Sequence, residues 1–315
     1  MGHGENSLFT LSYRVSRVIA EENGGNGCAV SNHDAFDLKT VLADVRDRPR
    51  LESIFARYRP EIVFHAAAHK HVPMVEENVE DAITNNVLGT RNLVELARQH
   101  GVERFVLISS DKAVNPVSVM GMTKRLAEMI VQDAAQQSGR SFVSVRFGNV
   151  LGSRGSVVPL FQTQIADGGP VTVTHADMER YFMTIPEAVQ LVLQASVLGK
   201  KGEVFVLDMG EPIKIMDLAR DLIEFSGYQV GRDIDIAITG IRPGEKLREE
   251  LFSDEEALAP TEHEKILVVS NGAEPSLGQW KADVEGLLSL ARAGETEKAR
   301  ERLQEIVGNS STMSH

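Results

Sequence analysis

Short apolar runs rich in β-branched residues alternate with longer amphipathic stretches through the first half of the chain. The apolar runs contain few polar positions, which is typical of strands buried on both faces of a parallel sheet. The pattern predicts strands at residues 38–43, 62–65, 105–108 and 142–147, and helices at 50–58, 80–100 and 119–138. Alternation of this kind indicates a Rossmann-like, doubly wound parallel α/β sheet.

The alternation weakens after about residue 155. The pattern there predicts strands at 171–174, 204–207 and 234–238, and helices at 186–198, 215–225, 246–251 and 282–307, the last being one or two helices. A mixture of this kind favours a smaller α+β domain. We expect a Rossmann domain at 1–155, the smaller domain mainly at 156–260, a helical extension at 261–308 and a disordered tail at 309–315.

The beginning of the chain departs from the usual order of a nucleotide-binding sheet. Such a sheet opens with a strand, a glycine-rich turn and a helix whose N-terminus binds pyrophosphate. No G-x-x-G-x-x-G motif follows an apolar run in this sequence, and neither residues 2–4 nor the glycine-rich residues 24–27 replace it. The sequence therefore predicts a sheet that lacks its first strand and its glycine-rich turn.

Composition narrows the possible classes of protein. With 315 residues, 42% of them hydrophobic, the chain can form a sizeable core in one large domain or two modest ones. A net charge of −12 argues against nucleic acid as a partner. The single cysteine, Cys28, excludes an internal disulfide, and no apolar run approaches the ~18 residues of a membrane helix. We expect a cytoplasmic protein with no membrane segment in this chain.

The main chemical cluster follows the predicted strand at 105–108. Ser110, Asp111 and Lys112 come at the carboxyl end of that strand, where open α/β sheets bind ligands. Met120 and Lys124 lie one turn apart on the same face of the next predicted helix. A polar turn with a solvated Asp–Lys pair would have the same sequence, but the second lysine favours a catalytic site.

Four motifs give the chain a family resemblance: HAAAHKHVP at 65–73, SSDKAVNPVSVMGMTKR at 109–125, RFGNVLGSRGSVVP at 146–159 and GIRPGEKLREEL at 240–251. Ser110 with Met120-x-x-x-Lys124 resembles the Ser/Thr…Tyr-x-x-x-Lys site of extended short-chain dehydrogenases/reductases. Together the motifs resemble the CapD-like polysaccharide biosynthesis proteins, which are UDP-N-acetylglucosamine 4,6-dehydratases. Members of this family carry tyrosine or methionine at the position of Met120. The resemblance extends from residue 1 to about residue 308.

The resemblance implies a role for each residue of the cluster. Once a hydride has left C4 of the sugar for NAD or NADP, Lys112 would remove the C5 proton, its pKa lowered by positive charge such as that of Lys124. Asp111 would protonate the departing C6 hydroxyl, and Ser110 would hydrogen-bond O4. Lys124 would hold the nicotinamide ribose. Met120 cannot exchange a proton, so the group that deprotonates O4 stays open.

The resemblance also assigns ligand-binding residues. The cofactor would be bound by Asp44, Val45, Ala66, Ala67, Ala68 and Lys124, with Asp44 accepting from the adenine amino group. The UDP-sugar would be bound by Lys70, His71, Asn149, Arg154, Arg180 and Arg242. Guanidinium groups suit phosphate oxygens, and the proline and glycine at 243–244 would shape a loop that opens a helix. For each arginine taken alone, an ordinary surface charge is about equally plausible.

Two further features have competing explanations. His65, His69 and His71 lie within seven residues and could indicate a metal, but the sequence lacks the usual supporting carboxylates, so we predict no metal site. Asn86 resembles the asparagine that braces the centre of the sheet in these enzymes, although an exposed helix position would explain it nearly as well.

The expected function is that of a lyase in polysaccharide or capsule biosynthesis, a 4,6-dehydratase of UDP-N-acetylglucosamine or a related UDP-sugar. A nucleotide-sugar epimerase is an alternative, although simple C4 epimerisation needs no base such as Lys112 at C5. An inactive sugar-nucleotide-binding protein is another, because residues 2–7 resemble the end of the family's second strand and we expect an N-terminal truncation. Some family members carry membrane helices before that point. We also expect a homo-oligomer.

Overall fold

The computed structural model describes residues 1–2, 4–22, 37–153, 155–270 and 279–312. Its strands are β1 (Ile62–His65), β2 (Arg104–Ile108), β3 (Ser141–Arg146), β4 (Asn149–Val150), β5 (Val171–Val173), β6 (Glu179–Arg180), β7 (Phe182–Met183), β8 (Val204–Leu207), β9 (Ile213–Lys214), β10 (Ile236–Ile238), β11 (Leu258–Pro260) and β12 (Ile266–Val269). Its helices are α1 (Glu5–Glu22), α2 (Arg48–Tyr58), α3 (Val72–Glu77), α4 (Val79–Ala82), α5 (Gly89–Gln99), α6 (Val119–Ser138), α7 (Val157–Ala166), α8 (Ile185–Leu198), α9 (Ile215–Phe225), α10 (Gln279–Arg292) and α11 (Thr296–Thr312).

The main sheet has six strands in the order β1-β2-β3-β8-β12-β11. The first four are parallel to one another, whereas β12 and β11 are antiparallel additions at one edge. The central strands are apolar on both faces, because helices cover them on both sides, and Phe105, Phe142 and Leu207 are fully buried. The predicted doubly wound α/β fold is confirmed. Strands β8, β11 and β12 extend this sheet with residues that follow position 155.

The predicted strand at 38–43 is wrong. Only Leu42 pairs, in an isolated parallel bridge with Gly2. The Gly2 N–H donates to the Val41 carbonyl, and the Ala43 N–H donates to the Gly2 carbonyl. Because α1 begins at Glu5, the chain leaves this pairing too soon for a ladder to form.

The predicted helix at 246–251 is also wrong, since residues 240–251 are irregular, with a turn at 243–244 and bends at 247–248 and 251. Gly244 adopts a left-handed φ of 78°. The carbonyl oxygens of Lys246 and Leu247 accept hydrogen bonds from the Arg180 guanidinium, at 2.8 and 3.2 Å, in place of helical N–H groups. The predicted loop at 243–244 therefore opens no helix.

The predicted helix at 80–100 is divided into three parts. Helix α4 passes into a π-helical turn, Ile83–Leu88, which passes into α5. The C-terminal helices α10 and α11 pack against each other, and α11 packs on α6. Helix α11 ends at Thr312, so it includes the first four residues of the predicted tail, and 313–315 lie outside the described residues. Within the described ranges, every helix is too short or too polar to cross a bilayer.

A buried ion cluster joins the sheet to α6. Arg146 of β3, 1% exposed, donates to both carboxylate oxygens of Glu128, at 2.9 and 2.8 Å. It also donates to Glu256, at 2.7 Å, and Ser109 donates to Glu128 at 2.5 Å. Burial alone would raise the pKa of Glu128, but the attraction and hydrogen bonds of Arg146, together with Arg125 and Ser109, outweigh burial and lower the pKa to about 2.

We predict that Arg146→Met lowers the free energy of unfolding by ~3–5 kcal/mol, because it removes the cation that both the buried Glu128 and Glu256 contact and leaves Glu128 with Arg125 alone, at 3.1 Å. The matched control is Arg220→Met, which removes an arginine from an exposed pair with Asp217 and should change stability by less than ~1 kcal/mol. Urea denaturation followed by circular dichroism measures both. Equal losses in the two variants would contradict the structural role of Arg146.

Candidate functional site

The turn after β2 places three polar side chains side by side. Ser110 has extended backbone, and residues Asp111–Ala113 form one 3-10 turn. The Ser110 hydroxyl donates to Asp111 Oδ1 at 2.7 Å and accepts from the Lys112 N–H at 3.3 Å. The Asp111 N–H donates to the Phe147 carbonyl at 3.1 Å, which ties the turn to the end of β3. The predicted cluster therefore exists as one hydrogen-bonded unit.

Helix α6 lies directly against this turn. A Cβ added at Gly121 would lie 2.2 Å from the Lys112 carbonyl oxygen, so only glycine permits this approach. The contact brings Met120 and Lys124, both buried, to the same strand end. Lys124 Nζ donates to the Ile108 carbonyl at 2.8 Å. Burial lowers the pKa of Lys124 to about 8, although Glu128 partly opposes the shift.

Lys112 lies between two carboxylates. Its Nζ is 3.0 Å from Asp111 Oδ1 and 3.4 Å from Glu249 Oε1. Burial alone would lower the pKa of Lys112, but Asp111 and Glu249 outweigh both burial and the repulsion from Arg180, and the pKa is raised. The expected lowering is therefore wrong for this arrangement. Sequence reasoning missed Glu249, because it assigned residues 246–251 to a helix.

Each carboxylate of the pair has one buried oxygen that no described group satisfies. Asp111 Oδ2 and Glu249 Oε2 are buried and have no hydrogen-bond partner among the described residues. Gly148 contributes to the space at Asp111, since a Cβ there would lie 3.4 Å from Oδ2 and 2.8 Å from the Tyr181 Cβ. Because buried carboxylate oxygens are normally hydrogen-bonded, this arrangement suits a bound hydroxyl group.

A groove of about 1140 Å³ runs beside β1. Its lining includes six of the predicted ligand-binding residues, Val45, Ala66, Ala67, Ala68, Lys70 and His71. Asp44 instead pairs with Arg46, at 2.7 Å, and Arg46 also pairs with Asp81. Burial, with a smaller contribution from repulsion by Lys112, lowers the pKa of Lys70, a residue of the groove lining.

Asn86 connects the end of β1 with α6, as the resemblance predicts. Its Oδ1 accepts from the His69 N–H at 2.8 Å, and its Nδ2 donates to the His69 carbonyl at 3.0 Å. The same Nδ2 donates to Thr123 Oγ1 at 3.0 Å. Asn86 is 2% exposed, so the alternative of an exposed helix position is excluded. This amide holds the segment after β1 against the helix that carries Lys124.

The three neighbouring histidines have separate partners. His65 Nε2 lies 2.9 Å from Thr90 Oγ1, and burial with a smaller effect of Lys124 lowers the pKa of His65 to about 3. His69 pairs with Asp81 at 2.7 Å. His71 lies beside Gly155, where an added Cβ would be 2.3 Å from its Cε1. The described residues contain no group of three or more His, Cys, Asp or Glu arranged to hold a metal ion.

The residues predicted to bind the UDP-sugar are distributed differently. Lys70 Nζ lies 3.3 Å from Ser153 Oγ, and Asn149 lies in β4, paired with Phe182 of β7. Arg180 is buried, and its guanidinium donates hydrogen bonds to the carbonyl oxygens of residues 179, 246 and 247. Arg242 is 56% exposed and pairs only with Glu245 among its described neighbours, at 2.6 Å. Arg154 lies outside the described residues.

Comparison with known proteins identifies relatives of this chain. Residues 15–271 match the family described as polysaccharide biosynthesis protein. The capsular polysaccharide biosynthesis protein CapD of Staphylococcus aureus is 52% identical over 84% of this chain and 42% of its own length. The chain therefore spans less than half of that relative.

Two other curated relatives are enzymes of nucleotide sugars. A UDP-N-acetylglucosamine 4,6-dehydratase (inverting) of Campylobacter jejuni is 34% identical over 86% of this chain and 84% of its own length. A UDP-glucose 4-epimerase of Rickettsia rickettsii is 38% identical over 70% of this chain and 63% of its own length. Among solved structures, Pen from Bacillus thuringiensis is similar with a TM-score of 0.71 and 33% identity, over 86% of this chain and 78% of its own. The predicted family resemblance is confirmed.

We predict that His65→Gln flattens the pH dependence of stability between pH 6.5 and pH 5. The pKa of His65 is about 3 in the folded state and ~6.5 when unfolded. The unfolded state therefore binds one more proton as the pH falls below 6.5, and the free energy of unfolding decreases by up to ~1.4 kcal/mol per pH unit. Glutamine keeps a polar group for Thr90 but removes the titration.

The measurement is urea denaturation at several pH values. The control, His175→Gln, replaces a histidine whose Nδ1 accepts from Asp177 in a surface turn, and it should retain the slope of the unsubstituted protein. An unchanged slope in His65→Gln would show that His65 is not held neutral in the fold.

Proposed function

This chain belongs to the polysaccharide biosynthesis protein family, and we propose that it is a nucleotide-sugar 4,6-dehydratase acting on UDP-N-acetylglucosamine or a related UDP-sugar. The observation that carries the proposal is the pair of Asp111 and Lys112, a carboxyl group and an amine 3.0 Å apart at a buried strand end. Loss of water across C5 and C6 requires a base for the C5 proton and an acid for the C6 hydroxyl. The similarity to the Campylobacter dehydratase supports the same reaction.

We propose that NAD or NADP binds in the groove beside β1. The volume of about 1140 Å³ suits a dinucleotide, and the alanines at 66–68 leave the backbone accessible to it. When bound, the nicotinamide supplies the acceptor and donor of hydride. Lys124, held by the Ile108 carbonyl and with a pKa near 8, would hydrogen-bond the ribose and favour a developing alkoxide at O4.

Lys112 and Asp111 would divide the acid and base roles between them. Lys112 must start as a neutral amine, and Asp111 must be protonated when the C6 hydroxyl departs. The amine takes the C5 proton and becomes an ammonium, while Asp111 gives its proton to the hydroxyl, which leaves as water. When hydride reaches C6, Lys112 returns its proton to C5 and is neutral again.

Ser110 provides the route for the O4 proton that Met120 cannot take. Its hydroxyl donates to Asp111 Oδ1 at 2.7 Å. If O4 gives its proton to Ser110 while Ser110 passes its own proton to Asp111, the Asp111 carboxyl group is protonated before water departs. One proton from O4 and one hydroxide from C6 then leave as water, so the protonation of the enzyme is unchanged after each turnover.

The nucleotide end would contact Arg242, Asn149 and Lys70. The Arg242 side chain is 56% exposed, and a diphosphate could replace its carboxylate partner Glu245. Arg180 would act indirectly, because its donors hold the carbonyl oxygens of the segment that carries Arg242. We place the reaction in the cytoplasm, where a single cysteine stays reduced.

We predict that Lys112→Ala and Asp111→Asn each lower turnover by at least ~100-fold, as expected for a lost base or acid. The assay follows UDP-N-acetylglucosamine by proton NMR, using a fusion in which a strand, a glycine-rich turn and a helix from a relative precede Met1. The control is Lys265→Ala, which removes an exposed lysine paired with Glu187.

The products of this assay distinguish the possible functions. A 4-keto-6-deoxy sugar supports the dehydratase. The C4 epimer without loss of water would support the epimerase. Near-normal dehydration by Lys112→Ala would show that the base is another residue.

We predict that Met120→Leu retains most of the activity of the fusion, because it is a near-isosteric apolar exchange at a buried position. The pH–rate profile should likewise contain no limb due to residue 120. Loss of hydride transfer with an unchanged circular dichroism spectrum would assign Met120 a more direct part.

A further inference from the structure

The side chain of Glu249 stands out because the reaction scheme above gives it no role. It is 7% exposed and belongs to the segment 240–251, far along the chain from Lys112. Its Oε1 lies 3.4 Å from Lys112 Nζ and 3.7 Å from Arg180 Nη2. A buried carboxylate this close to a lysine stabilises the ammonium form of that lysine.

Four charged groups surround the Lys112 ammonium in the described part of the chain. Asp111 and Glu249 attract it, whereas Arg180 and the more distant Lys70 repel it. Asp111 lies next to Lys112 in the sequence and contacts it from the same turn. Glu249 comes from a different segment, so its distance from Lys112 can change without altering the turn after β2.

We propose that Glu249 is a positioning residue that holds Lys112 as an ammonium between itself and Asp111, and so sets the pH at which Lys112 becomes a base. The inference rests on the proposed function, in which Lys112 must begin each turnover neutral. Removing the Glu249 charge leaves Asp111 as the single attracting group and exposes the ammonium to Arg180. The neutral amine then becomes more accessible at a given pH.

The location of Glu249 connects this control to the nucleotide end of the site. Arg180 donates to the carbonyl oxygens of Lys246 and Leu247, and Arg242 lies on the same segment. Glu249 is therefore held in place by the segment that we expect to contact the UDP group. Of the two carboxylates that contact Lys112, Glu249 belongs to the segment 240–251, whereas Asp111 belongs to the turn after β2.

The experiment is a direct titration of the Lys112 side chain by carbon- and nitrogen-detected NMR, on the labelled 315-residue chain. We expect Glu249→Gln to lower the midpoint by about one pH unit or more, equivalent to a tenfold larger neutral fraction. The matched control is Glu250→Gln, the same exchange at the next residue, whose carboxylate contacts Asn115 and Lys246 instead. Its midpoint should equal that of the unsubstituted protein.

A second variant keeps the test decisive if Glu249→Gln does not fold. Glu249→Asp retains the charge but withdraws it from Lys112, so the midpoint should fall by a smaller amount. An unchanged midpoint in whichever of these variants folds overturns the proposal. The titration needs no turnover, so it decides the role of Glu249 even if the dehydratase assay fails.

Activity of the fusion gives an independent readout. In Glu249→Gln the rising limb of kcat/KM should move to lower pH, while KM for the UDP-sugar changes little. A structural role alone would lower activity equally at every pH, and that result would count against the proposal.

Discussion

The buried ion pair of Arg146 and Glu128 is the interaction on which the sheet and the site both depend. A guanidinium without water is tolerated only when its partners surround it, and here they come from separate elements, α6 and the turn that precedes β11. Ser109 adds the end of β2 through its bond to Glu128. Shifting any one of these elements removes a partner from a buried charge. The cluster thus restricts the relative position of the strand end and of the helix that together carry Ser110, Asp111, Lys112 and Lys124.

The electrostatics of the site contain two opposing requirements. The proposed dehydration would need Lys112 without its proton, whereas Asp111 and Glu249 lie 3.0 and 3.4 Å from the Lys112 Nζ and stabilise its ammonium form. An ammonium between two carboxylates is also held in one position, beside Asp111, the residue that we propose as the acid. The charges of Asp111 and Glu249 therefore influence both the position of the Lys112 side chain and the ease with which it loses its proton.

The sequence predicts the parts of this protein that depend on local pattern. The strand end with Ser110, Asp111 and Lys112, and the helical spacing of Met120 and Lys124, follow from periodicity and a family resemblance. The segment at 38–43 has the composition of a strand, but strand formation needs a paired neighbour, which composition cannot reveal. Glu249 and Glu250 are adjacent and chemically identical, yet one is buried and the other exposed. Only the tertiary path of 240–251, held by Arg180, distinguishes them.

The π-helical turn between α4 and α5 accommodates one more residue than an α-helical turn would. Each residue of an α-helix advances the direction of the side chain by about 100°. Deleting one residue from Ile83–Leu88 would make the helix regular, but it would also rotate everything before the turn relative to everything after it. The amide of Asn86 could then reach His69 and Thr123 only if Leu93 and Leu96 left the core. The turn thus makes the length of this segment, and not only its residue types, a condition for the position of the Asn86 amide.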